Sequence, residues 1–131
     1  MRSRVLIAVA LLSPFFGMSS AVGAPVNIYV SAQTSDGLGQ QIVYFLKQDI
    51  IESAEFHLVY SVTQAGYQID FVSVPSYSVG GSEYSVAYSS VLLIGGSIFL
   101  TQYVGVCGIE NVRSCASGLL AGFSGAIDQM R

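Results

Sequence analysis

The sequence predicts one α/β (α+β) domain, an antiparallel or mixed sheet of about five strands with two helices packed on one face, in the order β-α-β-β-β-α. Three observations predict it. Apolar and polar residues alternate over 26–32, 56–62 and 67–74, the period of a strand. Apolar residues recur every three or four positions from Leu38 to Ile50 and from Val112 to Met130, the period of a helix. Residues 84–109 carry no Asp, Glu, Lys or Arg and hold Gly95-Gly96 near their centre, as a long hairpin does.

Ahead of these elements stand Arg2 and Arg4, an apolar run over 5–18 broken once at Pro14, and small residues over 19–24. That is the layout of a secretory signal peptide, with a core too short to anchor stably in a bilayer. Cleavage is expected after Ala21 or Gly23, which divides the chain into a leader, 1–23, and a single domain, 24–131. The protein is therefore expected in the periplasm or the secreted fraction. No cysteine lies near the junction, so a lipoprotein signal is not expected.

The first strand, VNIYVSA over 26–32, is rich in β-formers and stops at Thr34-Ser35-Asp36-Gly37, where Ser35 or Thr34 is expected to cap the following helix. In that helix Leu38, Ile42, Phe45, Leu46 and Ile50 share a face, so it packs on a sheet. A second strand is expected over 56–62 (FHLVYSV). Gln64-Ala65-Gly66 reads as a turn, and YQIDFVSV over 67–74 as a third strand paired with the second. Residues 75–82 hold Pro, Ser and Gly-Gly and read as a loop.

The charge-free stretch 84–109 is long enough to be tested as a membrane span. Its serines, its central glycines and its β-branched and aromatic residues fit strands at 84–94 and 97–106 better. The last helix sets Val112, Cys115, Ala116, Leu119, Leu120, Phe123, Ile127 and Met130 on one stripe, backed by Gly118, Gly122 and Gly125. Glycine in a helix interior costs about 1 kcal/mol relative to alanine, so close packing against that back is expected, with membrane insertion as the alternative.

Beyond the leader, Lys47, Arg113 and Arg131 face eight Asp and Glu side chains, which leaves a net charge of −5. A nucleic-acid partner is excluded, because displacing counterions from phosphates requires cations. With charged residues at 10% and hydrophobic ones at 52% of the chain, little charge resists association, so self-assembly or a permanent protein partner is expected. Cys107 and Cys115 are an even pair in an exported chain, which favours a disulfide over free thiols or a metal site.

Candidate chemistry is sparse. His57 is the lone histidine and stands between Phe56 and Leu58 in a strand, without a G-x-S-x-G elbow anywhere in the chain. Asp49, Glu52 and Glu55 cluster at a helix end, where a carboxylate pair or a calcium patch is weighed against a solvated end. Gly37 and Gly39 follow a strand, as in a phosphate loop, without the rest of such a motif. No catalytic residue, metal or cofactor is expected. Tyrosine offers wide contact area with a polar tip, and Tyr84, Tyr88 and Tyr103 in the hairpin are the candidate binding residues.

The segment 37–59 (GLGQQIVYFLKQDIIESAEFHLV) resembles the first helix and following strand of the TolB amino-terminal domain and of CsgG-like and LpoB-like envelope accessory domains. The phrase Asp49-Ile50-Ile51-Glu52-Ser53-Ala54-Glu55-Phe56 is similar to the D-L-x-x-S-G-x-F-like phrase that ends that helix, departing at Ala54. The resemblance implies an accessory domain that binds a partner protein and has no catalytic residues.

The expectation is an exported, non-catalytic binding or assembly module of a bacterial envelope or secreted fraction, acting through protein-protein contacts. The alternative is a membrane-associating or pore-forming protein that inserts its hairpin or last helix. A small hydrolase using His57 is the third reading.

Overall fold

A computed structural model describes residues 23–77 and 83–131. The expected leader falls outside the described residues except for Gly23, as does most of the expected loop at 75–82. The elements run β1 (Val26–Thr34), α1 (Gly37–Glu52), β2 (Phe56–Val59), a 3-10 turn (Val62–Gln64), β3 (Tyr67–Tyr77), β4 (Glu83–Ile94), β5 (Ile98–Gly108), a second 3-10 turn (Ile109–Asn111) and α2 (Val112–Asp128). This is the predicted order and class: a five-stranded mixed sheet, β2-β1-β3-β4-β5, with two helices. The first three strands in that order are parallel, and β4 and β5 are antiparallel to their neighbours.

The core lies between the helices and one face of the sheet. Ile42, Leu46 and Ile50 of α1 and Ala116, Phe123 and Ile127 of α2 are fully buried against Ile28, Ile69, Phe71, Val86 and Leu92. Their spacing on the helices is the one that aligns side chains along a single stripe. The helices are also fastened to each other. Asp49 of α1 pairs with Arg113 at 3.4 Å and accepts from the Ser117 hydroxyl at 3.0 Å, and Glu55 accepts from Ser124 at 3.1 Å.

The cap of α1 differs from expectation. Asp36, not Ser35 or Thr34, takes the N-cap, and its carboxylate accepts from the Gly39 N–H. Three adjacent residues in the sequence are competent caps. Asp36 wins because a carboxylate has a second oxygen free to accept from Ser73 of β3, so it ties helix and sheet together.

The expected pairing of the second and third strands is overturned. β3 pairs with β1 on one side and β4 on the other, and among the described residues β2 pairs only with β1. The registers explain how. β2 runs beside Val26 to Tyr29 of β1, and β3 takes up on the other side of β1 from Ile28 onward. The link between them crosses β1, where the Asn27 side chain donates to the Gln64 carbonyl and the Gly66 N–H to the Asn27 carbonyl. A tight hairpin needs φ > 0 in its turn. Among the described residues Gly95 (φ 60°) and Gly96 (φ 78°) supply it between β4 and β5, and Gly66 does not.

Element lengths shift accordingly. β2 ends at Val59, leaving Tyr60 exposed in the link, while β3 runs on past Val74 to Tyr77. Pro75 is tolerated there because β1 pairs no further than Ser73, so one side of β3 is free of a ladder at that point.

Candidate functional site

Side chains alternate across a strand, so a sheet with helices on one face presents its other set of residues outward. On β3, β4 and β5 that outward set is apolar at one end. Cross-strand register aligns Val72, Ser89 and Val104 in one row and Val74, Ala87 and Val106 in the next. The small residues Ala87 and Ser89 leave a shallow hollow of about 190 Å³ beside Val72 and Val74. Val72, Val74, Val104 and Val106 are 44%, 55%, 74% and 67% exposed. Covering a valine of this kind contributes on the order of 1 kcal/mol, so the bare face is a standing incentive to association.

Beyond the strip the face becomes mixed. Toward the Gly95-Gly96 turn the rows hold Asp70, Val91 and Gln102 and then Gln68, Leu93 and Phe99, with the Gln68 amide donating to Asp70 at 2.6 Å and that of Gln102 to the Ser89 hydroxyl at 2.8 Å. Asp70 is the lone charged side chain in the paired rows of this face from Gln68 to Val74.

The strip ends at β5, an edge strand of 11 residues without a charge or a proline. Its free side pairs with no strand among the described residues. The opposite edge, β2, has four residues and carries exposed His57. Edges are usually blunted by shortness or charge, and here β2 is blunted while β5 is not.

The candidate tyrosines occupy the other side of the hairpin. Tyr88 stacks on Phe71 with ring centroids 5.7 Å apart, and Tyr103 packs on Phe123 at 5.3 Å. Each also lies over a glycine: an added Cβ at Gly105 would meet the Tyr88 ring, and one at Gly122 the Tyr103 ring. Tyr84 is exposed at the start of β4. The three are thus not gathered on the outer face, and the exposed valines of that face were not singled out in the sequence. The signal was present in β3, whose second set of alternating residues ends in two valines.

Cys107 and Cys115 form a disulfide that joins the end of β5 to the first turns of α2. His57 is exposed on β2 and makes no side-chain hydrogen bond among the described residues. Of the acidic cluster, Asp49 fastens α1 to α2 and Glu55, just past α1, accepts from Ser124 of α2, and no group of three or more His, Cys, Asp or Glu among the described residues is placed to hold a metal ion. Gly37 and Gly39 do not make an anion site, because the Asp36 carboxylate already occupies the amino-terminal end of α1. No helix among the described residues is long and apolar enough to cross a membrane.

No family model matches the chain, and no curated protein matches it. Solved structures similar to it include a PelC dodecamer from Paraburkholderia phytofirmans, at 13% identity and a TM-score of 0.46 over 74% of this chain and 86% of that one. Another is uncharacterized lipoprotein B from Nitrosomonas europaea, at 16% identity and a TM-score of 0.39 over 82% and 80% of the two chains. A third is lipoprotein GNA1162 from Neisseria meningitidis, at 12% identity and a TM-score of 0.43 over 81% and 98%. Likenesses this distant say nothing about what this chain binds.

Proposed function

We propose that the protein is an exported, non-catalytic binding or assembly module of a bacterial envelope or secreted fraction, acting through protein-protein contacts. The observation that carries this reading is the uncovered apolar strip on β3–β5, continuous with a charge-free edge strand. Contiguous exposed apolar patches mark interaction sites. Tyr84 and the exposed part of Tyr103 extend the contact area on the other side of the hairpin.

Membrane insertion is the competing reading of the same apolar residues. Against it, the charge-free stretch puts Val86, Ser90, Leu92 and Cys107 into the core, and α2 buries Phe123 and Ile127 there. Insertion of either element would dismantle the domain.

The test is the mass of the purified, leader-free chain by light scattering in buffer without detergent. A soluble species of defined mass, one copy or a small oligomer, is expected. Aggregation relieved only by detergent would overturn the reading in favour of the membrane.

A further inference from the structure

The two edges of the sheet are treated differently, and the difference selects a partner. β2 is short, flanked by Glu55 and carries His57, whereas β5 offers 11 residues of neutral backbone. Strand addition to such an edge takes its affinity from main-chain hydrogen bonds and its specificity from pockets for alternate side chains. Beside β5 the outer face offers the shallow valine strip and, nearer the Gly95-Gly96 turn, exposed Phe99, which suits a partner whose own flank is apolar.

Charge narrows the choice further. Beyond the leader the chain carries −5, so two copies repel each other unless the surfaces that meet are neutral. β5 meets that condition. The nearest acid in the sequence on its carboxyl side, Glu110, lies past the end of the strand. In an antiparallel pair the two Glu110 side chains fall at opposite ends, and Asp70 on β3 is two strands away from the junction.

We propose that β5 pairs antiparallel, edge to edge, with β5 of a second copy of this chain, joining two five-stranded sheets into one continuous sheet about a twofold axis. The proposal rests on the binding reading above and names its partner. Both copies then carry their helices on the same side, and the Val72-Ser89-Val104 and Val74-Ala87-Val106 rows run across the junction into their counterparts. The interface is isologous, so it closes at two copies and does not propagate.

Hydrogen-deuterium exchange of the leader-free chain, read at low and high protein concentration, tests the pairing directly. Amides on the free side of β5 between Gln102 and Gly108 are expected to exchange roughly tenfold more slowly in the concentrated sample, with those of Phe56–Val59 unchanged. Val104→Lys and Val106→Lys place like charges across the twofold axis and are each expected to weaken the dimer by roughly tenfold. Gln41→Lys, on the exposed face of α1 and away from the sheet edge, is expected to leave it unchanged.

A single-copy mass at every concentration overturns the self-pairing and leaves the binding reading standing. A dimer dissociated by Val74→Lys, in which the free-side amides of β5 still exchange fast, overturns it in favour of stacked outer faces. Protection of β5 in a single-copy chain by a different protein overturns it in favour of a foreign strand.

Discussion

The Ser73 hydroxyl of β3 donates to the Asp36 carboxylate at 2.7 Å, fastening the sheet to the first turn of α1. The second carboxylate oxygen accepts from the Gly39 N–H at 2.5 Å, so one buried side chain is both helix cap and strand tie. The absence of a side chain at Gly39 permits this approach, since a Cβ there would overlap Ser73 Oγ and lie 2.9 Å from Asp36 Oδ2. Gly39→Ala is expected to lower stability by about 3 kcal/mol in urea denaturation, the upper range of overpacking. Most of that loss should vanish in a Ser73→Gly background, because the residue it overlaps is then gone. Equal costs in the two backgrounds would contradict the contact.

Ser90 is fully buried in the row between Phe71 and Tyr103, and its hydroxyl has no hydrogen-bond partner among the described residues. Leaving such a group dry costs about 1–3 kcal/mol. Ser90→Ala removes the hydroxyl at almost constant shape, so a gain of about 1 kcal/mol is expected in the same denaturation experiment. A loss of similar size would mean that the hydroxyl is satisfied after all.

The disulfide closes a short loop between β5 and α2, with eight positions separating its cysteines. Restricting the unfolded chain over a loop of that length is worth about 2.5 kcal/mol. Reduction, or Cys107→Ala with Cys115→Ala, should lower stability by that amount without changing the helix content seen by circular dichroism. Unreduced, denatured protein should show no reactive thiol, and two equivalents would refute the bond.

The glycines of α2 divide into two kinds. A Cβ added at Gly118 or Gly125 meets nothing within 4 Å, whereas one at Gly122 comes within 2.7 Å of the Tyr103 ring. Gly118→Ala is therefore expected to stabilise by about 1 kcal/mol through helix propensity. Gly122→Ala must move Tyr103 off Phe123 and should destabilise by about 1 kcal/mol. Thermal melts of the two variants that shift in the same direction would contradict this division.

Both helices and the β4–β5 hairpin were legible because their signals are local: a stripe at helical spacing, or two glycines that supply φ > 0 between alternating segments. The order of β2, β1 and β3 was not. Gln64-Ala65-Gly66 looks like a turn whether the chain doubles back or steps across β1, and only the distant β1 backbone decides between them. The cap was ambiguous for a related reason, since Ser73, which favours Asp36, is far off in sequence. The placement of the tyrosines was readable in principle. Tyr84, Val86, Tyr88 and Leu92 form the larger alternate set of β4, and larger sets face cores. The absence of charge marks the hairpin as a whole, while the exposed strip lies on its smaller set and borrows Val72 and Val74 from β3.

A photoreactive residue placed at Val104, in cells producing the full chain, tests most directly whether this strip is a protein-binding surface. Discrete protein adducts are expected from that position, and none from the same residue at exposed Gln41 on α1. Irradiation that yields only lipid adducts at Val104, or protein adducts at Gln41 alone, would contradict the assignment.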